Sequence, residues 1–270
     1  MVGGITAMQS LADLRNSCQG AVFIIASGPS AIEFPLQRYA SYPMMAMNGS
    51  ISRFAEASIS PYFYLCDDSS FVRNRLPLLL QATRLAQHMA LSARVIGSIP
   101  ECELSALQRP GVYHLERVNR PLNGDKPLSY RQFAWAVRND PDLQCSFSLF
   151  RQKPNRIGFS RNLGKGYFSG RTIPYVGIQM AYHLGFSQVF LVGMDLDSSK
   201  GRFYEQGADA VPSRLDGDYD DYILPCFEFM ASRVLNPDFR VYNLSMESRL
   251  PASVVPKLSL GQLDDLLTCA

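Results

Sequence analysis

The sequence predicts an α/β fold in which a mostly parallel, Rossmann-like sheet is flanked by helices. Three short apolar runs in the first quarter of the chain each end in small or polar residues: Ala21–Ala26, Pro43–Met47 and Tyr62–Cys66. Each run is followed by a turn or a helical pattern, which is typical of strands that alternate with helices. Because such sheets bind ligands beyond the carboxyl ends of their strands, we expect one ligand-binding edge.

Length and composition predict a single soluble domain over residues 1–270. The chain is 47% apolar and 19% charged, with a formal net charge of +2 and no Lys/Arg-rich block, so nucleic acid is not an expected partner. We find neither a signal-peptide pattern nor a run as long as a membrane span. The six cysteines are scattered without a CxxC pair, which predicts reduced thiols, a cytoplasmic location and no zinc.

The first three predicted strands end in residues that could contact a ligand. Ser27-Gly28-Pro29-Ser30 is a small-residue turn whose backbone N–H groups could hold a phosphate, although it could equally be an ordinary strand-to-helix turn. Ser30-Ala-Ile-Glu33 resembles a capping box and predicts a helix start. Asn48-Gly49-Ser50 and Asp67-Asp68 end the next two strands, and Asn48 could meet a ligand hydroxyl or base edge, or simply form a turn.

The remaining elements follow from hydrophobic spacing. Residues 116–156 and 205–222 are the least regular, and we interpret them as lid or acceptor-binding segments. The other predicted elements are helices at Ser10–Cys18, Phe71–Met89, Tyr130–Arg138, Tyr222–Leu235 and Leu258–Leu267, and strands at Ala93–Ile96, Gly111–Leu115 and Arg240–Asn243.

The stretch Thr172–Tyr204 organises the second half of the chain. Thr172–Leu184 has helical spacing, Gly185 is a stop signal, and Val189–Val192 is an apolar strand that leads into Gly193-Met-Asp195. The preceding Gly158–Thr172 segment is rich in glycine and basic residues without being a Walker loop. A loop of this kind before a helix N-terminus favours an anionic ligand.

These motifs, in this order, resemble the bacterial CMP-sialic-acid sialyltransferases and, more closely, the WaaZ-type proteins of lipopolysaccharide core biosynthesis. The resemblance implies a GT-A-like sialyltransferase variant that transfers 3-deoxy-manno-octulosonic acid (Kdo) from CMP-Kdo to a Kdo-containing inner-core acceptor. It also implies a location at the inner membrane surface, peripheral to the bilayer, with no required cofactor; a divalent metal is conceivable but not expected. An oligomer is compatible with it. The motifs that carry it include Ser27–Pro29, Ala46–Ser50, Ile178–Tyr182, Gly193–Leu196, Arg202–Tyr204 and Tyr242–Ser245.

The same resemblance implies roles for individual residues. The first-strand turn, expected at the phosphate and ribose of the donor, is Ser27, Gly28, Pro29 and Ser30. The second-strand Asn48 is expected to contact the donor, and the Gly-x-Asp element, Gly193 and Asp195, is expected at the cytidine and ribose. The element expected to hold the donor sugar and its carboxylate is Ser169, Gly170 and Thr172.

The chain departs from the sialyltransferases at the catalytic base, which in that family is a lid histidine. None of its histidines, at positions 88, 114 and 183, falls in residues 211–223, and we expect His183 to be a packed or surface side chain. A lid carboxylate is the substitute, although an acidic solvated loop is an equally good interpretation. The candidates are Asp218, Asp220 and Asp221 for the base, Tyr204 and Arg202 for the leaving phosphate, and Arg161, Lys165 and Arg171 for acceptor charges.

Two other hypotheses stay open at this point. The archaeal-type pterin diphosphokinases share a Gly-Pro-Ser turn and a Gly-x-Asp strand end, and would require ATP and Mg²⁺. A non-catalytic assembly or regulatory factor that kept the nucleotide fold is the other, and the missing lid histidine favours it.

Overall fold

Seven parallel strands form the central sheet of the computed structural model, which describes residues 8–120, 126–205 and 215–268. The spatial order is β5-β4-β3-β2-β1-β8-β9, and β6 and β7 form a separate antiparallel pair. The predicted α/β class is therefore confirmed. The strands are β1 (Ala21–Ile25), β2 (Met44–Met47), β3 (Phe63–Cys66), β4 (His88–Leu91), β5 (Val112–His114), β6 (Leu143–Cys145), β7 (Gly158–Ser160), β8 (Gln188–Val192) and β9 (Arg240–Asn243).

The strand order reverses at β1, in the middle of the sheet. The chain winds outward from β1 to β5 and then returns to β8, which pairs with β1 over five residues on its other side. Loops that leave β1 and its neighbours in opposite directions open a crevice at their carboxyl ends, and ligands of open α/β sheets bind in such crevices. The topology therefore directs attention to the residues after β1, β2 and β8.

Helices cover both faces of the sheet, because successive side chains of each strand point to opposite sides. Val22 and Ile24 of β1 belong to one buried cluster with α5 and α7, while Phe23 and Ile25 belong to another with α1, α2, α3 and α8. The helices are α1 (Ile51–Glu56), α2 (Ser69–Leu85), α3 (Ala93–Ile96), α4 (Tyr130–Ala136), α5 (Ile173–Leu184), α6 (Leu215–Asp218), α7 (Leu224–Arg233) and α8 (Leu260–Thr268), with a π-helical turn at Tyr219–Ile223 between α6 and α7.

The helix α5 and the strand β8 match the prediction for this part of the chain. Gly185 ends α5 in the left-handed conformation, with φ of +99°, and its amide donates to two carbonyls of the last turn. A side chain there would also meet the carbonyl oxygen of Cys18 at 2.6 Å from its Cβ. Both constraints explain why a glycine is needed at this helix end.

Two predictions around the fourth strand are wrong. Ala93–Ile96 is the helix α3, capped by the Ser92 hydroxyl, which accepts from the amide of Val95. The fourth strand is His88–Leu91, in hydrogen-bonded pairing with β3 and β5, and α2 already ends at Leu85. Short apolar runs fit a buried strand and a buried helix equally well, and the tertiary pairing decides between them.

Two predicted helix starts also differ from the structure. Ser10–Cys18 contains only a 3₁₀ turn at Leu11–Leu14, and Ser30–Glu33 forms no capping box because Pro29–Ala31 is a 3₁₀ turn. The hydroxyl of Ser30 bonds instead to a residue on the far side of the sheet's switch point, described below. A long-range partner thus replaces the predicted local one.

The described parts of the segments that we interpret as lids lie outside the main sheet. Residues 126–156 contribute α4 and β6, while 121–125 and 206–214, which belong to the two predicted lid segments, lie outside the described residues. Over the part of the chain that the structure describes, no helix has both the length and the apolar character that a membrane crossing requires. The cysteines in that same part, at positions 18, 66, 102, 145 and 226, are free thiols.

Candidate functional site

Asp195, directly beyond β8, is buried at the switch point and held by Ser30. The amide of Ser30 donates to Asp195 Oδ2 at 2.9 Å, and the Ser30 hydroxyl makes a short hydrogen bond to Oδ1. Ser245, in the loop after β9, lies 2.8 Å from the Ser30 hydroxyl and accepts from the amide of Met194 at 2.9 Å. These hydrogen bonds, which the sequence did not predict, hold the carboxyl ends of β1, β8 and β9 together.

Gly28 allows this close approach of β1 and β8. Its amide donates to the carbonyl of Gly193 at 2.9 Å, and its φ of −67° is open to any residue. A Cβ at Gly28 would lie 2.5 Å from both Asp195 Oδ2 and the Gly193 oxygen. The glycine is therefore required by space rather than by backbone conformation, and the turn that contains Pro29 follows it directly.

The end of β2 presents an unpaired acceptor. Asn48 has a left-handed backbone, with φ of +47°, and its buried side-chain Oδ1 has no hydrogen-bond partner among the described residues. Leaving a buried acceptor unpaired costs roughly 1–3 kcal/mol, so such an atom suits a ligand that brings its own donor. The sequence predicts that Asn48 binds the sugar donor of the reaction, and an unpaired side-chain oxygen is compatible with that role.

The ring of Tyr204 covers the backbone beside Asn48. A Cβ at Gly49 would lie 2.2 Å from that ring, and the amide of Phe203 donates to the carbonyl of Ser27 at 3.1 Å, so the loop is fixed to the β1 turn. Burial raises the pKa of Tyr204 well above its ordinary value. The phenol therefore stays protonated at neutral pH and can donate a hydrogen bond.

Arg202, the other predicted contact for the leaving phosphate, is already paired. Its Nη1 lies 2.8 Å from Oε1 of Glu205, whose side chain is almost fully buried. The guanidinium has further N–H groups for a phosphate, but its charge is partly compensated within the loop. Tyr204 also has a partner, because its hydroxyl is hydrogen-bonded to the side chain of Ser27.

The N-terminus of α5 faces the same edge of the sheet. The C-terminal end of α5 meets Cys18, before β1, and Gly177 in its middle contacts Ile24 and Met47, so the helix runs antiparallel to the strands. Its first residues therefore lie at the carboxyl edge. Pro174 has no N–H and the amide of Tyr175 donates to the carbonyl of Thr172, so this twelve-residue helix contributes mainly the partial positive charge of its dipole, which favours an anion.

The loop before α5 is shaped for close approach. Gly170 and Arg171 are both left-handed, with φ of +49° and +58°, and Thr172 caps the helix without using its hydroxyl in a hydrogen bond to it. Ser169 closes the turn through its carbonyl, which accepts from the amide of Thr172 at 3.2 Å. The predicted donor-sugar element is thus placed at the N-terminus of α5.

The three candidate bases have different surroundings. Asp218 Oδ1 lies 3.8 Å from Nε of Arg171, and its side chain is 22% exposed. Asp221 pairs with Lys153 at 2.5 Å, and the highly exposed Asp220 lies 3.8 Å from Arg249. Of the three, Asp218 is the one that contacts the loop at the N-terminus of α5.

Asp218 ends α6, and the π-helical turn that follows it carries Asp220 and Asp221 and is anchored to the end of β8. The Tyr219 hydroxyl donates to the carbonyl of Arg249 at 2.8 Å, and the amide of Arg249 donates to the carbonyl of Asp195 at 2.9 Å. The Arg249 guanidinium stacks 3.7 Å above the Tyr219 ring. Sequence reasoning missed Arg249 because its neighbours are far away along the chain; π turns of this kind are frequent at functional sites.

A second ion pair, also missed, borders the edge after β3. Arg117 donates to Asp67 Oδ2 from Nη2 at 2.5 Å and from Nε at 3.0 Å, and the Tyr167 hydroxyl lies 3.3 Å from the same Nε. Burial opposes ionisation of Asp67, but Arg117 and the hydrogen bond with Tyr167 prevail and lower its pKa. The pair fixes the predicted insert against the sheet.

His183 and two of the predicted cations have internal partners. His183 is buried between the Leu11 carbonyl at 2.7 Å and the Leu163 amide at 3.3 Å, as expected for a packed side chain. His114 faces Glu116 at 3.6 Å in a cavity of about 480 Å³ beside the end of β5. Lys165 pairs with Asp140 and Asp142, and Arg161 donates to the carbonyl of Arg233.

The structure as far as it is described brings together no three His, Cys, Asp or Glu side chains in a geometry that could hold a metal ion.

Residues 5–260 match the family model described as 3-deoxy-D-manno-octulosonic acid transferase WaaZ. A probable 3-deoxy-manno-octulosonic acid transferase of Salmonella typhimurium is 28% identical over 243 residues, which cover 90% of this chain and 88% of that protein. A protein of the same description from Escherichia coli K12 is 26% identical over 252 residues, covering 93% and 86%.

A solved structure also shares the fold. The MAf glycosyltransferase from Magnetospirillum magneticum AMB-1 superimposes with a TM-score of 0.51 at 16% identity and covers 91% of this chain. This chain spans about a third of that protein's length, 35%. At this identity the likeness shows a shared α/β fold.

Proposed function

The chain belongs to the WaaZ family of 3-deoxy-D-manno-octulosonic acid transferases, and we propose that it transfers Kdo from CMP-Kdo to a Kdo-containing acceptor in the lipopolysaccharide inner core. The acceptor is membrane-bound, so the enzyme would act in the cytoplasm at the inner membrane surface. The proposal includes no metal and no further cofactor.

One observation supports CMP-Kdo as the donor substrate. An unpaired hydrogen-bond acceptor and an anion-binding helix N-terminus lie at the same edge of the sheet, near the switch point. The unpaired Oδ1 of Asn48 suits a donor group of cytosine or ribose, and the N-terminus of α5 suits a carboxylate or phosphate. CMP-Kdo carries both kinds of group, with its carboxylate and phosphate close together. The turn Ser27–Ser30 and Gly193 would border the nucleotide between them.

Asp195 takes a supporting role in this proposal. Both of its carboxylate oxygens are engaged by Ser30, so a ribose hydroxyl would have to share an oxygen with the Ser30 hydroxyl. We therefore propose that Asp195 mainly holds the β1 turn in place. The direct contacts fall to backbone groups of that turn.

The transfer requires a base and stabilisation of the leaving group. Asp218 would accept the proton of the acceptor hydroxyl, whose oxygen bonds to the anomeric carbon of Kdo as the bond to the CMP phosphate breaks. The electron pair leaves with CMP. Tyr204, protonated because of its burial, and the N-terminus of α5 would stabilise the phosphate charge.

The experiment is transfer from CMP-Kdo to a Kdo-containing inner-core acceptor by the purified protein, with the product identified by mass spectrometry. We expect one additional Kdo per acceptor, and an Asn48→Ala variant that loses about tenfold or more in CMP affinity by calorimetry. The absence of transfer together with unchanged CMP affinity of the variant would refute the proposal.

A non-catalytic assembly factor is the second candidate, and the ion pairs favour it. Asp218, Asp220 and Asp221 each pair with a cation of the fold, so each has a structural role that does not require catalysis. CMP binding without turnover in the same assay would support this candidate. The pterin diphosphokinase hypothesis has no counterpart in the family that the chain matches, and a comparison of thermal stabilisation by CMP and by ATP with Mg²⁺ tests it.

A further inference from the structure

One exposed surface of the chain is both apolar and basic. Nine large apolar side chains are exposed in the described residues, and six of these lie between positions 128 and 150. Isolated exposed apolar side chains are normal, but a cluster marks an interaction site. We name it the 128–150 surface, and its apolar members are Leu128, Tyr130, Trp135, Phe147, Leu149 and Phe150.

Two members of this surface from different elements lie together. The rings of Trp135 and Phe147 are 5.5 Å apart, so α4 and the loop after β6 meet through exposed aromatic side chains. Phe150 is 93% exposed and Leu149 59%, the two highest values among these nine side chains. Neither buries its side chain in the fold, which leaves both available to insert into a partner.

Basic side chains accompany the apolar ones. Residues 126–156 contain six Lys or Arg and two Asp, a net charge of +4 in a chain whose total is +2. Asp140 and Asp142 pair with Lys165, and of the six cations Lys153 pairs with Asp221. The Arg138 guanidinium stacks on the Trp135 ring at 4.1 Å, so cation and aromatic are presented together.

We propose that the 128–150 surface docks onto an anionic phospholipid bilayer. Apolar side chains that can enter the acyl boundary, a tryptophan suited to the headgroup region and surrounding cations are the combination that such a surface recognises. A second copy of the chain fits less well, because residues 126–156, which carry the surface, have a net charge of +4 and two such segments would repel each other.

The docked orientation would bring the candidate site to the membrane. The Arg156 guanidinium lies between the rings of Tyr130 and Tyr222, 4.8 and 4.7 Å from their centroids, and Tyr222 also stacks under Arg171. Arg171 contacts Asp218, so the surface continues into the candidate acceptor side. This orientation rests on the proposed function, whereas the binding itself does not.

Vesicle co-sedimentation of the full chain tests the proposal. We expect binding to phosphatidylcholine vesicles that contain phosphatidylglycerol, little binding without it, and a loss of affinity as salt is raised. The double variant Leu149→Ser/Phe150→Ser should bind about tenfold or more weakly. Met246→Ser, which removes a side chain 55% exposed outside this surface, is the matched control and should bind normally.

A charge variant separates the electrostatic contribution to vesicle binding from the apolar one. Arg138→Gln/Arg151→Gln should weaken binding to anionic vesicles, by about fivefold per charge, and reduce its salt dependence. CMP affinity measured on each variant reports the fold and the donor site independently of the membrane. No binding of the unmodified protein to anionic vesicles, or equal binding of the Leu149/Phe150 variant, would overturn the proposal. So would a patch-dependent dimer in place of vesicle binding.

Discussion

Ser30 and Asp195 are 165 residues apart in the chain, yet the Ser30 amide and hydroxyl each bond to one oxygen of the Asp195 carboxylate. The Ser30 hydroxyl gives its proton to Asp195, so the hydroxyl of Ser245 donates to it in turn. This pairing determines where the β1 turn lies relative to β8. The donor contacts proposed for that turn depend on it.

Ser30→Ala tests this relationship. Removing the hydroxyl leaves Asp195 Oδ1 without this donor and the buried Ser245 hydroxyl without an acceptor for its proton, and we expect a loss of roughly 1–3 kcal/mol in the free energy of unfolding. CMP affinity should fall about tenfold by calorimetry as the turn loosens. Ser232→Ala, on the exposed side of α7, is the control; equal CMP affinity in both variants would contradict the role given to Ser30.

Gly28→Ala should be damaging for a purely steric reason. The added Cβ would lie 2.5 Å from two oxygen atoms, so β1 and β8 must separate, at a cost of about 1–3 kcal/mol in unfolding free energy. Gly261→Ala is the matched control, since nothing lies within 4 Å of its Cβ and it sits inside α8. Chemical denaturation should show that Gly28→Ala lowers the free energy of unfolding and that Gly261→Ala raises it. Relative to glycine, alanine stabilises an exposed helical position by roughly 0.5–1 kcal/mol. Equal stability of Gly28→Ala and the unmodified chain would contradict the steric argument.

Asp218→Asn tests the proposed base. We expect kcat for Kdo transfer to fall about 100-fold or more with little change in CMP affinity, because the proton acceptor is lost while the donor site is intact. Asp220→Asn is the control, two residues further along in the π-helical turn and 79% exposed. If the Asp220 variant loses as much activity as the Asp218 variant, the base lies elsewhere.

The stability of the chain at low pH should depend on Asp142. Burial opposes its ionisation, but hydrogen bonds from Lys165, Asn162 and Arg15 prevail and lower its pKa to about 2. Because this folded-state pKa lies below the unfolded value of about 3.9, the stabilisation is complete above that value and is lost as the pH falls towards 2. Its size is about 1 kcal/mol once the exposure of the cations is considered.

Asp142→Asn should therefore lower the unfolding midpoint at pH 7 by roughly 2–4 °C, and the difference from the unmodified chain should vanish near pH 2. Thermal melts followed by circular dichroism measure both. The exposed Asp265→Asn serves as the comparison. A difference for Asp142→Asn that persists undiminished at pH 2 would show that packing rather than charge is involved.

The sequence predicted those features of the fold that local patterns determine. The polar ends of β1, β2 and β3, and the helix–glycine–strand unit of α5 and β8, follow from hydrophobic spacing and single glycines. Ala93–Ile96 was predicted wrongly, because four apolar-rich residues carry no periodicity that separates a strand from a helical turn. The Ser30 capping box was wrong because a distant carboxylate competes for its hydroxyl.

The site could be predicted only as a set of residues at one edge, without its internal bonds. Ser245, Arg249 and the Asp67–Arg117 pair depend on contacts between segments that are 50 or more residues apart. Their residue types alone do not distinguish them from ordinary surface side chains. The roles of Asp218 and Tyr204 stay predictions, although the structure places Asp218 beside Arg171 and Tyr204 over Gly49.

The Ser30–Ser245 contact has a consequence for synthesis of the protein on the ribosome. The contact joins residues 215 positions apart, so the β1 turn emerges first and waits for Asp195 and then Ser245, its permanent partners. A nascent chain can form the β1–β5 half of the sheet early, but the edge at the switch point closes only after β8 and β9 have been made. Such late, non-local closure makes for slow folding, and a product truncated before β9 would contain most of the sheet without a finished binding edge.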